Sequence, residues 1–353
     1  MDRIFLGESG LAVSRLGLGT ATFGGSSGGF DRVGKTGLAE AKKLVSICLE
    51  AGLSLFDTAN SYSNGESEEI LGAALGGRRH EVVLASKVSL RWGPGEFQVG
   101  LSRRAIIEAC EASLRRLGTD WLDLYQLHIP DSLTPIEETL RALDDLVRAG
   151  KVRYIGCSNF SGWQLMKALA VSSACNLERF ASQQVYYSLV GRDGEFELAP
   201  LSMDQRVGMI VWGPLASGFL SGKVRRGEQP ASDTRLGAMP DVPKVADWNR
   251  GQDILDIVRE IAEARGATAS QVAINWLLGK PWVSSVLIGA RTEAQLRDNL
   301  ASAGWSLTEA ELDRLDAASR PARPYPYWTQ ALSAQDRNPP LSNRSAPVSR
   351  TVT

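Results

Sequence analysis

Four residues in this sequence have types and spacing suited to chemistry. Asp57 and Tyr62 stand in FDTANSYSNGESEEILG, Lys87 in ASKVS, and His128 at the end of LDLYQLH. A carbonyl being reduced takes a hydride at carbon and a proton at oxygen. A phenol can deliver that proton, although a free pKa of about 10 makes it a poor donor at neutral pH. A nearby ammonium favours the phenolate and eases proton loss. A carboxylate can hold the ammonium in place, and a neutral imidazole can orient the substrate oxygen or share the proton relay. Taken singly, each residue has a plainer explanation. Asp57 could cap a turn, Tyr62 could be an ordinary loop tyrosine, Lys87 could be solvated, and His128 could be a satisfied polar residue. The set outweighs those explanations. All four fall at the ends of three consecutive short apolar runs, and the chain has only two histidines.

Those runs belong to a longer rhythm. Short apolar segments over 16–20, 53–56, 82–88, 122–128, 152–157, 183–187, 209–212 and 286–288 read as eight strands. Between them lie segments of helical period, at 38–51, 67–75, 102–117, 135–149, 161–171, 248–265, 268–278 and 292–303. Ser67, before two acidic residues, is the expected N-cap of the second helix. Gly118 and Gly150 mark helix ends. Residues 3–13 read as a preceding β-hairpin. Eight strands alternating with helices predict an α/β fold of the closed (β/α)8 TIM-barrel type, with extra C-terminal helices. Such a barrel keeps its chemistry at the C-terminal ends of its strands, where Asp57, Lys87 and His128 fall. The expected organisation is a single barrel domain over 1–320 and a tail over 321–353. The first part of the tail, with Tyr325, Tyr327 and Trp328, is expected to dock on the barrel. Its Pro- and Ser-rich end is expected to be disordered.

The 353 residues are 43% apolar and 22% charged with a net charge of -1, a globular composition. That near-neutral charge argues against nucleic acid or a membrane surface as a partner. No apolar run reaches the roughly 18 residues of a membrane span or the shape of a signal peptide. Cys48, Cys110, Cys157 and Cys175 have no metal or redox spacing, so reduced thiols and a cytoplasmic location are expected. No His or Cys cluster has the spacing of a metal site.

Two phosphate-binding motifs compete. GFDRVGKT at 29–36 fits the P-loop pattern of a nucleotide hydrolase. However, GGSSG precedes it where a buried strand should be, so Lys35 and Thr36 are expected to begin the first barrel helix. LGLGTATFGG has Gly17 and Gly19 but Thr22 where a dinucleotide-binding fingerprint needs its third glycine.

The stretches LGLGTATFGG, LFDTANSYSNGESEEILG, ASKVS, LRRLGTDWLDLYQLHIPD, ALDDLVRAGKVRYIGCSNFSGWQL, QVYYSL, VWGPLASGFLSGK and IGARTEAQLRDN resemble the aldo-keto reductase family, in the family's order over about residues 1–305. The tail, PYPYWTQ with a later RNP, is similar to a bacterial branch of channel-β-subunit-like reductases. The resemblance implies NADPH-dependent, reversible reduction of an aldehyde or ketone. It makes Tyr62 the general acid, Lys87 the group that lowers the phenol's pKa, Asp57 the partner of Lys87, and His128 the group that orients the carbonyl. It implies NADPH extended across the barrel mouth. Ser158, Asn159 and Gln184 would contact the nicotinamide amide, with Trp212 stacked on the ring, and Thr20, Ala21 and Asp57 would also bind the cofactor. Gly213, Pro214, Leu215, Ala216, Ser217, Lys223 and Arg235 would clamp the pyrophosphate. Gly289, Arg291, Gln295 and Asn299 would hold the adenosine end, Asp298 would also bind the cofactor, and the Arg291 fork suits a 2′-phosphate. Phe23, Trp92, Ile129, Tyr327 and Trp328 are expected to wall a small-molecule carbonyl substrate. Homo-oligomers occur among such relatives. Channel-regulatory members bind NADPH tightly and turn over slowly, often with Asn where this chain has His128.

Overall fold

The computed structural model describes residues 1–25, 35–228, 230, 234–238, 245 and 247–337. Strands β1 (Arg3–Phe5) and β2 (Ala12–Ser14) pair antiparallel as a hairpin. Eight strands follow: β3 (Leu16–Gly19), β4 (Leu55–Asp57), β5 (Val83–Val88), β6 (Leu122–Leu127), β7 (Val152–Ser158), β8 (Phe180–Tyr186), β9 (Gly208–Trp212) and β10 (Val283–Ile288). They pair in parallel and close into one barrel, with β10 beside both β9 and β3. The TIM-barrel expectation holds.

Side chains alternate along a strand with a period of two, so every second residue points inward. Leu55, Ala85, Leu124, Ile210 and Leu287 form one buried cluster with Leu6 and Val13 of the hairpin. The hairpin therefore plugs one end of the barrel with apolar side chains. Two residues further along the same strands stand Asp57, Lys87, Gln126 and Trp212. The barrel interior is apolar at the hairpin end and polar towards the strands' C-terminal ends. The larger core lies outside the barrel, between its outer wall and the helices. Truncating a residue of the inner layer, such as Leu124, to alanine should cost about 2–5 kcal/mol.

The helices follow their local signals. Ser102 caps Arg103–Leu117 by accepting from the Ala105 N–H, and Gly118 ends it at a φ of 63°. The second helix departs from expectation. It runs Glu66–Leu75 with Gly65 as its N-cap. Ser67 lies inside it, fully buried, and bonds the Thr20 carbonyl at 2.8 Å and the Thr20 and Thr58 hydroxyls. Its hydroxyl fastens the helix to the loops after β3 and β4 and is not free to cap. The first helix is Leu38–Glu50, so Lys35 and Thr36 precede it, and Thr36 forms a β-bridge with Phe23. Residues 29–34 of GFDRVGKT lie outside the described residues. So do residues 338–353, where disorder was expected. Among the described residues four further helices occur, Leu198–Gln205, the single turn Arg235–Ala238, Glu309–Ser319 and Tyr327–Arg337, the last two being the extra C-terminal helices expected.

Among the described residues, no helix is long and apolar enough to cross a membrane. All four cysteines are free. Burial pushes the Cys48 and Cys110 thiols up to about 12, so they are inert.

Candidate active site

Asp57 ends β4, Lys87 stands one residue before the end of β5, and His128 follows β6. The three meet at one mouth, together with Tyr62 from the loop after β4. Lys87 is fully buried. An uncompensated ammonium there would cost several kcal/mol, about what one ion loses on leaving water. Three acceptors receive its three N–H groups: Asp57 Oδ2, the Thr58 carbonyl at 2.9 Å and the Tyr62 hydroxyl at 3.3 Å. Burial pulls the Lys87 pKa down, but the Asp57 charge and the Tyr62 oxygen outweigh it and hold the pKa above the ordinary lysine value. The lysine is therefore a permanent cation beside the phenol.

Asp57 is equally enclosed, at 2% exposure. Its Oδ1 accepts from Gln126 Nε2 at 2.9 Å and from Gln184 Nε2 at 2.8 Å. The carboxylate therefore sits at the centre of a fixed polar ring across β4, β5, β6 and β8. Gln126 is the member that the sequence reading missed. Its signal was present in LDLYQLH, where Leu122, Leu124, Gln126 and His128 share one face by alternation.

Burial, and next the Lys87 cation, lower the His128 pKa to about 3, so the imidazole is neutral. Its Nδ1 lies 3.5 Å from the Ser61 hydroxyl, and its ring meets that of Tyr62 edge-on at 5.5 Å. A neutral imidazole beside a phenol can hydrogen-bond an incoming carbonyl oxygen without adding a second positive charge.

The expected nicotinamide residues gather at the same mouth. Asn159 donates to the His128 carbonyl at 2.9 Å and to Ser158 Oγ at 3.0 Å, and accepts from Trp212 Nε1 at 3.1 Å. Trp212 packs against Tyr186 with ring centroids 5.1 Å apart. Thr20 is buried and bonds the Asp57 carbonyl, and Ala21 is half-buried at the turn that follows. Gln184 lies deeper, bonded to Asp57 and, at 3.3 Å, to Gln126.

The loop after β9 runs Gly213, Pro214, Leu215, Ala216 and Ser217. Ala216 and Ser217 have φ of 47° and 60°, and a Cβ on Gly213 would strike the Tyr186 ring. Tight turns of this kind gather backbone N–H groups into a concavity that suits an anion. Lys223 is exposed beyond them. Arg235 opens the short helix Arg235–Ala238, and its side chain lies outside the described residues.

At the far end, Gly289 follows β10 and Thr292 caps Glu293–Ala301. The Arg291 N–H donates to Gln295 Oε1 at 3.0 Å, and Asn299 donates to the Gly289 carbonyl at 3.2 Å. Asp298, on the same helix, instead accepts from Thr268 and Gln271 of the neighbouring helix and is occupied there.

The five wall residues do not share one environment. Phe23 is fully buried in the outer core and Trp92 is 7% exposed, whereas Ile129 is 37% exposed. With no surface, Phe23 is a core residue and not wall. Thr36 forms a β-bridge with it. Tyr327 donates to Glu197 Oε1 at 3.0 Å and stacks on Phe196 at 5.3 Å, while Trp328 is exposed. Tyr327 therefore seats on the loop after β8, whereas Tyr325, 77% exposed, does not dock as expected.

Backbone strain marks this face. Among the described residues, eight non-glycine residues have positive φ. Asn176 and Arg206 end helices; the other six, Ser63, Asn64, Ser89, Asn159, Ala216 and Ser217, lie in loops after barrel strands. Such conformations persist where surrounding structure over-determines them, and they cluster at functional sites.

Comparison with known proteins agrees with this geometry. The Aldo/keto reductase family model matches residues 15–320. A probable voltage-gated potassium channel subunit beta of Arabidopsis thaliana is 37% identical over 335 residues, 91% of this chain and 98% of that protein. The uncharacterized oxidoreductase YrpG of Bacillus subtilis is 37% identical over 328 residues, 90% of this chain and 95% of its own length. The aldo-keto reductase YhdN of Bacillus subtilis is 34% identical over 317 residues, covering 88% and 91%. With its parallel barrel, its buried Asp57–Lys87 pair touching Tyr62 and a match over most of its length, the chain belongs to the aldo/keto reductase family of oxidoreductases.

Proposed function

We propose that this protein reduces an aldehyde or ketone to an alcohol, reversibly, with NADPH. The carrying observation is the Tyr62 hydroxyl 3.3 Å from the Lys87 ammonium, itself locked to buried Asp57. The mouth fits the cofactor. It carries Trp212 and Asn159 at one end, the turn of Gly213–Ser217 beyond, and Arg291 just ahead of a helix N-terminus, where phosphate is favoured. When bound, the dihydronicotinamide supplies the hydride.

The chain's own residues do the rest. Tyr62 Oη gives its proton to the carbonyl oxygen, and the Lys87 cation stabilises the negative charge left on the phenol oxygen. Asp57 fixes the lysine, and Gln126 and Gln184 fix Asp57. Neutral His128 holds the carbonyl oxygen in line with Tyr62. Ile129 and the docked tail at Tyr327 and Trp328 bound the substrate space, and Trp92 backs it. The site lies within residues 1–320, which act as one barrel domain, and the expected location is cytoplasmic.

Likeness to a probable potassium channel subunit beta favours a second reading, an NADPH-binding regulatory protein with slow turnover. Tryptophan fluorescence titration with NADPH, NADH and ATP-Mg²⁺, on wild type and Arg291→Ala, separates the readings. The reductase account predicts quenching by NADPH that weakens selectively in Arg291→Ala, followed by steady NADPH consumption with a carbonyl. NADPH binding without turnover across a carbonyl screen would favour regulation. Saturable binding of ATP-Mg²⁺ alone would reject both readings and return GFDRVGKT as a phosphate site.

A further inference from the structure

The loop that carries Tyr62 is held from behind by residues the chemistry does not use. Ser63, Asn64 and Gly65 follow the tyrosine with φ of 49°, 52° and 97°, three consecutive left-handed residues. That conformation is costly for the two that carry a Cβ and needs external support. Glu66 opens the next helix, and its N–H bonds the carbonyls of Tyr62 and Ser63. Where the helix sits therefore decides where Tyr62 sits.

Two contacts fix the helix. A Cβ on Gly72 would come within 2.4 Å of the Leu117 carbonyl, so the helix lies directly on the end of Arg103–Leu117. One turn earlier, Glu68 is fully buried. Its Oε2 receives both Arg116 Nε at 2.7 Å and Arg116 Nη2 at 2.6 Å. Its Oε1 accepts from Ser86 Oγ at 2.5 Å, and Ser86 immediately precedes Lys87 on β5. The Arg116 side chain also fills the space a Cβ on Gly65 would take, with Nε 2.6 Å and Cδ 2.7 Å from that point. One buried carboxylate thus joins the strand of Lys87, the helix after Tyr62 and the arginine packed under Gly65.

We propose that the Glu68–Arg116 pair is a positioning device that sets the distance between the Tyr62 hydroxyl and the Lys87 ammonium. Its catalytic consequence rests on the reductase reading; its geometric one does not. Arg116 presses the left-handed turn from beneath, and Glu68 ties that pressure to the strand of Lys87. Arginine suits the role because its planar fork fixes direction, which a lysine's rotating ammonium does not.

The test uses the full chain with Arg116→Lys and the milder Glu68→Gln, and with Glu108→Ala, in an exposed ion pair of the same helix, as control. Three quantities are read: kcat for a carbonyl, NADPH affinity by tryptophan fluorescence, and the Tyr62–Lys87 separation in crystals of each variant. The expected result is a kcat loss of about tenfold or more, since a displacement near 1 Å can cost about a hundredfold. NADPH affinity stays within about twofold, because most of the residues assigned to it, from Ser158 to Asn299, lie on other loops. The separation lengthens beyond the 3.3 Å of the wild type. Glu108→Ala changes none of these. An unchanged separation in both variants, or kcat falling only with the folded fraction, would overturn the proposal. If wild type reduces no carbonyl, the function reading fails, and the measured separation still decides the positioning.

Discussion

Two lysines among the described residues are buried against carboxylates, and the two behave in opposite ways. Lys87 lies in the barrel mouth with Asp57, and Lys280 lies between outer helices with Asp316 at 2.8 and 3.0 Å. Burial penalises both ammonium groups. For Lys87 the Asp57 charge and the Tyr62 oxygen overcome that penalty and raise the pKa. For Lys280 burial outweighs the bond and charge of Asp316 and the pKa falls, with the nearby Arg192 cation adding to the lowering. Lys280 also lies 4.3 Å from the centre of the Trp276 ring. The mouth gives one cation a dedicated anion and points it at a phenol. The outer cluster interleaves two cations, Lys280 and Arg192, with two anions, Asp316 and Glu195, and ties helices together. A buried Lys–Asp pair is therefore not a catalytic signature in itself; the group it faces makes the difference.

Removing each lysine breaks the comparison most sharply. Lys87→Met should lower kcat by about 10²–10⁴-fold, the range of a general acid–base contribution. It should also lower stability by about 3–5 kcal/mol, because it leaves Asp57 buried without its cation. Activity assays and urea unfolding measure the two effects. Equal kcat with only a stability loss would make the mouth pair structural, like the outer one.

Neutral His128 gives the mouth an acid sensitivity that begins near pH 6.5, whereas that of the outer cluster begins only in the carboxylate range, where burial of Asp316 is outweighed by its bond to Lys280. Its folded pKa of about 3 lies below the unfolded value of about 6.5, so the unfolded chain binds more protons between those limits. Stability is therefore complete above about 6.5 and falls as pH drops towards 3, by at most about 1.4 kcal/mol per pH unit. His128→Asn should flatten that slope in a series of Tm measurements. An unchanged slope would mean that the imidazole is charged in the fold.

At the outer cluster, Lys280→Met should cost about 2 kcal/mol, the scale of a charged hydrogen bond, with kcat unchanged. Alkali sharpens the contrast. Lys280 has a folded pKa below its unfolded one, so its part of the stability rises as pH approaches about 10.5. The Lys87 contribution is complete below that value and disappears as pH rises through its elevated folded pKa. Lys280→Met should therefore remove an alkaline rise in stability, and a retained rise would contradict the assignment. The smallest effect is expected at Trp212→Phe, which loses the 3.1 Å bond to Asn159. About 1 kcal/mol, or roughly fivefold in NADPH affinity, should be lost. An unchanged affinity would separate this tryptophan from the nicotinamide end.

Much of the mouth was readable because alternation in short strands is local. The residues from Leu55 to Asp57 and from Leu122 to His128 reveal their inward faces without knowledge of the fold. Two kinds of feature were not readable. Ser67 looks like a helix cap because Ser commonly caps, but tertiary bonds to Thr20 and Thr58 claim its hydroxyl. Glu68 looks like a first-turn acid on a solvated face, and its partner Arg116 is 48 residues away. A partner that distant in sequence leaves no periodic mark. The same holds for Phe23, whose aromatic type suggested a wall and which packs in the core, bridged by Thr36.

The most direct test of the account is NADPH consumption by wild type and Tyr62→Phe with one reactive aromatic aldehyde, alongside NADPH affinity for each. The account predicts turnover by wild type, a loss of about 10²–10⁴-fold in Tyr62→Phe and equal affinity in both. Comparable turnover by Tyr62→Phe would contradict it, because the proton would then come from a group other than the phenol beside Lys87.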